Sequence, residues 1–360
     1  MARDRSPSFI PEDVDETEPA NGVAPWRDPQ WLAEADGWIS ESCDAAGVQR
    51  TGPGRLRGRL WSVVARVPTT GGDLWFKQNA PRGGFEPALL AFLAARDPEA
   101  ASALVAIDAR RYRSLTRDVG DRLDDLLKRD PDMRHLHAPL RHYAELQRHL
   151  AAHVDELLAL GVPDGRPAHI EALLDDVLAA APSGILDEDV RRHVAAKLPE
   201  LRADAAELEA LAVPATIDHQ DLHPGNMLGR NSGDSSHGNS GGDSSSGSRA
   251  FDWGDASLGS PFGSILVVLR ALPDFAPTDR TDPEVLRLRE VYLEAWRQDG
   301  RWTTAELDRA VVLALRLTMV MRAHTWTRVL PCFRSNARPW RQVAEWLGRI
   351  GCEDPVTVGL

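Results

Sequence analysis

His219-Gln220-Asp221-Leu222-His223-Pro224-Gly225-Asn226-Met227-Leu228, followed by Ala250-Phe251-Asp252-Trp253-Gly254, is the stretch on which the reading of this chain turns. Its first part has the form H-x-D-x-x-x-x-N. Pro224 and Gly225 turn the backbone tightly, so Asp221 and Asn226 can face one pocket. The second part sets another aspartate, Asp252, on a new β-like segment. One carboxylate for an attacking hydroxyl, with an amide and a carboxylate for a metal ion, is the set that phosphoryl transfer from a Mg-nucleotide needs.

Each of these residues also has a plainer role. An ionised Asp221 can orient a hydroxyl toward a γ-phosphorus, help typically worth about 10² to 10⁴ in rate, or it can close an Asx turn. Asn226 and Asp252 are hard oxygen donors suited to Mg²⁺, whose remaining ligands are usually water and phosphate. Alone, either could merely cap a turn. Their joint order and spacing favour the chemistry. Asp255 is a further carboxylate near the site or a solvated loop charge. His219 and His223 stand at i, i+4, a zinc spacing when on a helix. Pro224 and Gly225 argue against a helix, so His219 is read as packing on the loop backbone.

Upstream, the residues become β-like. The segments 59–67 and 74–78, rich in β-branched and aromatic residues, flank a turn containing Gly71-Gly72 and read as a hairpin. Lys77 ends the second segment as Leu-Trp-Phe-Lys. A compact cation there can meet the α- and β-phosphates of a nucleotide, or simply lie on the surface. Glu86 opens the next helix near Pro87 and could pair with Lys77; a carboxylate is also favourable in any first helical turn. The glycine-bearing turn 51–58 matches no phosphate-loop pattern. Backbone amides from Arg57 to Ser62 remain candidates for phosphate contact.

The rest of the chain organises around these features. Residues 1–25 are polar and proline-bearing and read as a disordered tail. Residues 28–46 read as a helix, 87–95 as another, and 103–107 and 112–117 as strands. From residue 140 onward the apolar period is helical, with Leu140, Tyr143, Leu146 and Leu150 on one face. Further helical patterns cover 167–181, 188–212, 283–297, 304–330 and 339–349. Residues 231–248, almost all Gly, Ser, Asn and Asp, read as a flexible loop joining two short strands. This predicts a β-rich N-terminal lobe over 26–120 and a larger, mostly helical lobe over 121–360.

Of 360 residues, 42% are hydrophobic and 27% charged, an ordinary globular balance. The net charge of −12 argues against general nucleic-acid binding, which needs a basic footprint. Cys43, Cys332 and Cys352 are odd in number and scattered, which fits a reducing compartment. No signal-like apolar core opens the chain, and the apolar run 264–272 contains Arg270 and is too short to span a bilayer. The stretch 310–330 is interrupted by Arg316, Arg322 and Arg328. The expectation is a cytoplasmic protein without membrane segments; its oligomeric state is not legible.

With these residues in view, the sequence resembles the aminoglycoside phosphotransferase family over roughly residues 50–330. The two motifs carry the likeness, together with Leu258-Gly259-Ser260-Pro261-Phe262, the strands around Trp61 to Val67 and Leu74 to Lys77, and Leu115 to Gly120, which is similar to the link between that family's lobes. The resemblance implies an α+β, two-lobed protein-kinase-like fold using ATP or GTP and Mg²⁺. Asp221 would be the catalytic aspartate, Asn226 and Asp252 the metal ligands, and Lys77, Glu86 and Ser62 the nucleotide-side residues. The acceptor would be a hydroxyl of a small molecule: an aminoglycoside or other antibiotic, a sugar, or an amino or choline-like alcohol. Two positions depart from the family's pattern. Gln220 stands where it usually has glycine. Ser264 stands where an aspartate braces the catalytic loop. These departures keep open a nucleotide-binding module without turnover, and the histidines a metal-dependent hydrolase.

Overall fold

The computed structural model describes residues 9–14, 26–97, 103–118, 120–229, 249–275, 282–329 and 337–352. Two compact units divide at Val119/Gly120. The architecture is α+β, a small β-rich lobe and a larger, mostly helical one.

The small lobe is built on a six-stranded sheet. Its strands are β1 (Phe9–Val14), β2 (Gly54–Gly58), β3 (Ser62–Val67), β4 (Leu74–Asn79), β5 (Leu104–Asp108) and β6 (Arg113–Arg117), in the order β1-β2-β3-β4-β6-β5. The β1–β2 pair is parallel and the others antiparallel. Helix α1 (Pro29–Ala45) starts at Asp28, whose carboxylate caps Gln30 N–H at 2.7 Å. Its Trp31, Ala35 and Ile39 enter a core with Leu56, Val63, Ala65, Leu74, Phe76 and Leu115. Helix α2 (Glu86–Arg96) follows β4 and buries Leu89, Phe92 and Leu93.

Two strands differ from the expectation. Residues 9–14, inside the segment read as a disordered tail, form edge strand β1: Phe9 is buried, and Glu12 and Asp13 pair with Arg55 and Arg59 at 2.6 and 2.5 Å. Residues 54–58, read as a glycine turn, form β2, where Leu56 alternates inward between outward Arg55 and Arg57. The loop at 231–248 lies outside the described residues, as does the remainder of the N-terminal tail.

The large lobe contains α3 (Leu123–Arg129), α4 (His137–Leu150), α5 (Val154–Ala159), α6 (Ile170–Ala180), α7 (Glu188–Ala210), α8 (Ser264–Ala271), α9 (Pro283–Arg297), α10 (Thr304–Val329) and α11 (Ala337–Gly348). The long apolar pattern from residue 140 is one face of α4, which packs against α9, while α10 packs against α6, α7 and α11. Among these helices run two short ladders: β7 (Thr216–Asp218) with β10 (Ser257–Gly259), and β8 (Met227–Leu228) with β9 (Arg249–Ala250). These ladders fix the motif segments. No described helix is long and apolar enough to cross a membrane.

Candidate active site

In the large lobe, the chain leaves β7 at Asp218 and reaches β8 through the loop 219–226. A 3-10 turn, Pro224–Asn226, closes that loop. Asn226 Nδ2 donates to Asp221 O at 2.9 Å and to Asp221 Oδ2 at 3.2 Å. This draws Asn226 and Asp221 together and commits the amide nitrogen, leaving Asn226 Oδ1 as the lone-pair atom for a further partner. His223 Nδ1 accepts from Gly225 N–H at 3.0 Å, so its proton sits on Nε2, 3.6 Å from Asp221 Oδ2.

The second motif is tied to the first through backbone. Phe251 N–H donates to Asn226 O at 3.0 Å, and the fully buried His219 donates from Nε2 to Phe251 O at 2.9 Å. Burial holds the imidazole neutral, pushing its pKa down to about 4. Its ring lies against Trp253, centroids 4.6 Å apart. Asp252 follows immediately, in the left-handed region at φ 64°, a conformation aspartate tolerates better than most residues. The Asn226 and Asp252 segments are thus tied by the β8–β9 ladder, by the Phe251 N–H bond that continues it and by His219.

Their oxygens form a hard, sparse donor set. Among the described residues, no three His, Cys, Asp or Glu side chains are grouped to hold a metal ion. Of the two histidines of the loop, His219 spends Nε2 on Phe251 O and His223 spends Nδ1 on Gly225 N–H. Asn226 and Asp252 offer hard oxygen donors of the kind Mg²⁺ takes while leaving much of its coordination to water and phosphate.

Arg322 of α10 was not foreseen as a site residue. Its Nη1 donates to Gln220 O, its Nη2 reaches Asp221 Oδ1 at 3.2 Å, and Nη1 lies 3.9 Å from Asp255 Oδ2. Arg328 donates to Asp255 O at 2.6 Å. Asp255 is therefore drawn toward Asp221 through a shared guanidinium. The interruption of an apolar helix by arginines was the available signal: a buried guanidinium must meet acceptors.

In the small lobe, Lys77 Nζ lies 2.6 Å from Glu86 Oε2, which also accepts from Asn79 Nδ2 at 2.6 Å. The Glu86 side chain is 2% exposed and that of Lys77 14%. A buried carboxylate with two donors is a fixed anchor, and it orients the lysine above it. Ser62 is buried at the start of β3, in register with Asn79. It therefore adjoins the strand that carries Lys77.

The fold, with these elements in place, is a two-lobed kinase-like one. It is similar to the ethanolamine kinase of Plasmodium vivax: TM-score 0.60 at 11% identity, covering 90% of this chain and 88% of that one. An amicoumacin kinase in complex with AMP-PNP, Ca²⁺ and Ami aligns with TM-score 0.52 at 13% identity, covering 92% and 95%. Wild-type aminoglycoside 2′-phosphotransferase-IIIa in its GDP complex aligns with TM-score 0.50 at 16% identity, covering 87% and 98%. No family model matches the sequence, and no curated protein matches it.

Proposed function

We propose that this chain is a phosphotransferase moving the γ-phosphate of ATP or GTP to a hydroxyl of a small molecule. The observation that carries the reading is the hydrogen bond from Phe251 N–H to Asn226 O, which continues the β8–β9 ladder. It sets Asp252 beside a loop in which Asn226 already holds Asp221. The structural neighbours support it: an ethanolamine kinase, an amicoumacin kinase and an aminoglycoside phosphotransferase share the fold.

In this reading Asp221 accepts a hydrogen bond from the acceptor hydroxyl and aims it at phosphorus. In a loose phosphoryl-transfer transition state the hydroxyl needs orientation more than early deprotonation. Arg322 holds Oδ1 of Asp221, so the carboxylate presents a fixed geometry. Asn226 and Asp252 would hold Mg²⁺, which neutralises charge on the phosphates. Lys77, oriented by Glu86, would contact nucleotide phosphate, with Ser62 on the neighbouring strand. The acceptor class proposed is an amino alcohol, sugar or antibiotic hydroxyl.

The test is a single-turnover assay with Mg·ATP or Mg·GTP against ethanolamine, simple sugars, an aminoglycoside and amicoumacin, with Asp221→Asn beside wild type. Phosphorylated product from wild type and at least about a hundredfold less from Asp221→Asn is expected. Tight nucleotide binding with no product from any acceptor would favour a binding module. Equal product from Asp221→Asn would remove Asp221 from its role.

A further inference from the structure

The two departures from the family's pattern, Gln220 and Ser264, meet at the carboxylate of Asp218. Asp218 ends β7 and is 2% exposed. Its Oδ1 accepts from Gln220 N–H at 3.1 Å and from the Ser264 hydroxyl, and its Oδ2 accepts from Gln220 Nε2 at 2.7 Å. With its proton on Asp218, Ser264 Oγ accepts from Tyr143 OH at 2.6 Å. Both hydroxyls in turn accept from His219 N–H, at 3.3 and 3.0 Å. Gln147 Nε2 donates to Tyr143 OH at 3.1 Å and to Ile217 O at 2.8 Å. The backbone N–H groups of His219 and Gln220, the two residues before Asp221, are therefore both held by this cluster.

We propose that Asp218 is the positioning carboxylate of the Asp221 loop, doing from strand β7 what a helix aspartate at position 264 would do. The proposal rests on the reading of Asp221 as the catalytic residue. It accounts for both departures at once. A serine at 264 is short enough to leave room for the Asp218 carboxylate and still donates to it. Gln220 sits at φ 63°, a region that disfavours side chains, and its side-chain amide is bonded back to Asp218, so the residue and the conformation support each other. Gly263 completes the fit: a Cβ there would overlap Asp218 Oδ2 and Thr318 Oγ1. The charged form is opposed by burial and favoured by the Ser264 and Gln220 bonds and by Arg322.

A double-mutant cycle tests this. The variants are Asp218→Ser, Ser264→Asp and the pair. Readouts are amide hydrogen exchange at His219 and Gln220, and kcat against KM for Mg·ATP with the best acceptor found. Asp218→Ser should raise exchange of both amides and lower kcat by about ten- to a hundredfold at nearly constant KM, since the charged acceptor of three donors is lost. Ser264→Asp alone sets two carboxylates together and should also be impaired. The pair should recover exchange protection and at least about a tenth of wild-type kcat. A pair no better than Asp218→Ser overturns the proposal. Should Asp218→Ser not fold, Asp218→Asn keeps the volume; wild-type exchange and kcat in that variant overturn it equally. The exchange arms need no turnover, so they decide the brace even if wild type phosphorylates no acceptor, an outcome that would count against the proposed function instead.

Discussion

Replacing Arg322 with methionine removes a guanidinium that touches both the backbone before Asp221 and its carboxylate. The side chain is 8% exposed and Asp221 31% exposed, with Nη2 3.2 Å from Oδ1. At an effective dielectric near 20 the gross attraction at that separation is about 5 kcal/mol. Desolvation of the arginine and the partial exposure of Asp221 offset most of it, leaving roughly 1–3 kcal/mol, the usual worth of a hydrogen bond to a charged group. If that energy holds Asp221 in its productive rotamer, its loss lowers kcat by about 10- to 100-fold, at about 1.4 kcal/mol per tenfold. The nucleotide KM should stay within about twofold, because Arg322 makes no contact with Asn226 or Asp252 among its observed hydrogen bonds. Arg322→Lys should fall between, because a single ammonium cannot reproduce the guanidinium fork that reaches Gln220 O and Asp221 together. Initial rates across nucleotide concentration, with melting curves for each variant, make the measurement. A methionine variant with kcat within about threefold of wild type, at unchanged stability, refutes the reasoning.

Two further outcomes are expected. Lys77→Met takes the ammonium away from the buried Glu86 carboxylate and should cost about 3 kcal/mol of stability in urea unfolding; adding Glu86→Gln should recover stability but not nucleotide affinity, and unchanged ATP binding in either variant removes Lys77 from the phosphate site. The second outcome concerns pH. Asp218 is raised from 3.8 to about 6 by burial and His219 lowered from 6.5 to about 4 by burial. Between about pH 4 and 6 the native state binds more protons than the unfolded chain at Asp218, so stability falls as pH rises. At His219 it binds fewer, so stability rises. Each contribution is about 3 kcal/mol in full, and they oppose each other. Urea unfolding from pH 4 to 7 should show a steeper rise in Asp218→Asn than in wild type, and a fall or flattening in His219→Asn; parallel curves for all three would contradict both shifts.

What was legible in the sequence was local. The Asp221 loop announced itself because Pro224 and Gly225 fix a turn whatever surrounds them. The β3–β4 hairpin and α1 were legible because a strand half-buried by alternation and a helix with one apolar stripe carry their own periods. Strand β2 was hidden by its two terminal glycines. Only its partners make it a strand: β3 on one side, and β1, whose Glu12 meets Arg55, on the other. The supports of the site were hidden for a different reason. Tyr143 reads as an ordinary position of the core face of α4, and Gln147, four residues on, stands outside that apolar pattern. Yet they bond His219 and Ile217, more than sixty residues away. Periodicity says that a helix face is covered; it does not say by what.

The arginines of α10 show how far that gap extends. Arg316, Arg322 and Arg328 interrupt an apolar helix, and as sequence they argued only against a membrane span. In the fold each meets an acceptor from a different segment: Arg316 reaches Asp204 of α7 at 3.3 Å, Arg322 reaches Gln220 and Asp221, and Arg328 reaches Asp255 O. A buried guanidinium carries five donors and tolerates few of them unmet. The helix therefore selects its neighbours by hydrogen bonding as well as by shape. Two of the three arginines grip the segments on either side of the Asn226–Phe251 link. With α4 holding His219 from another direction, the Asp221 carboxylate is placed before any substrate arrives. Donors and acceptors fixed in advance need little reorganisation during reaction, and that is where preorganised electrostatics gain their effect. A variant that loosens α10 without touching Asp221 should therefore slow turnover more than it weakens nucleotide binding.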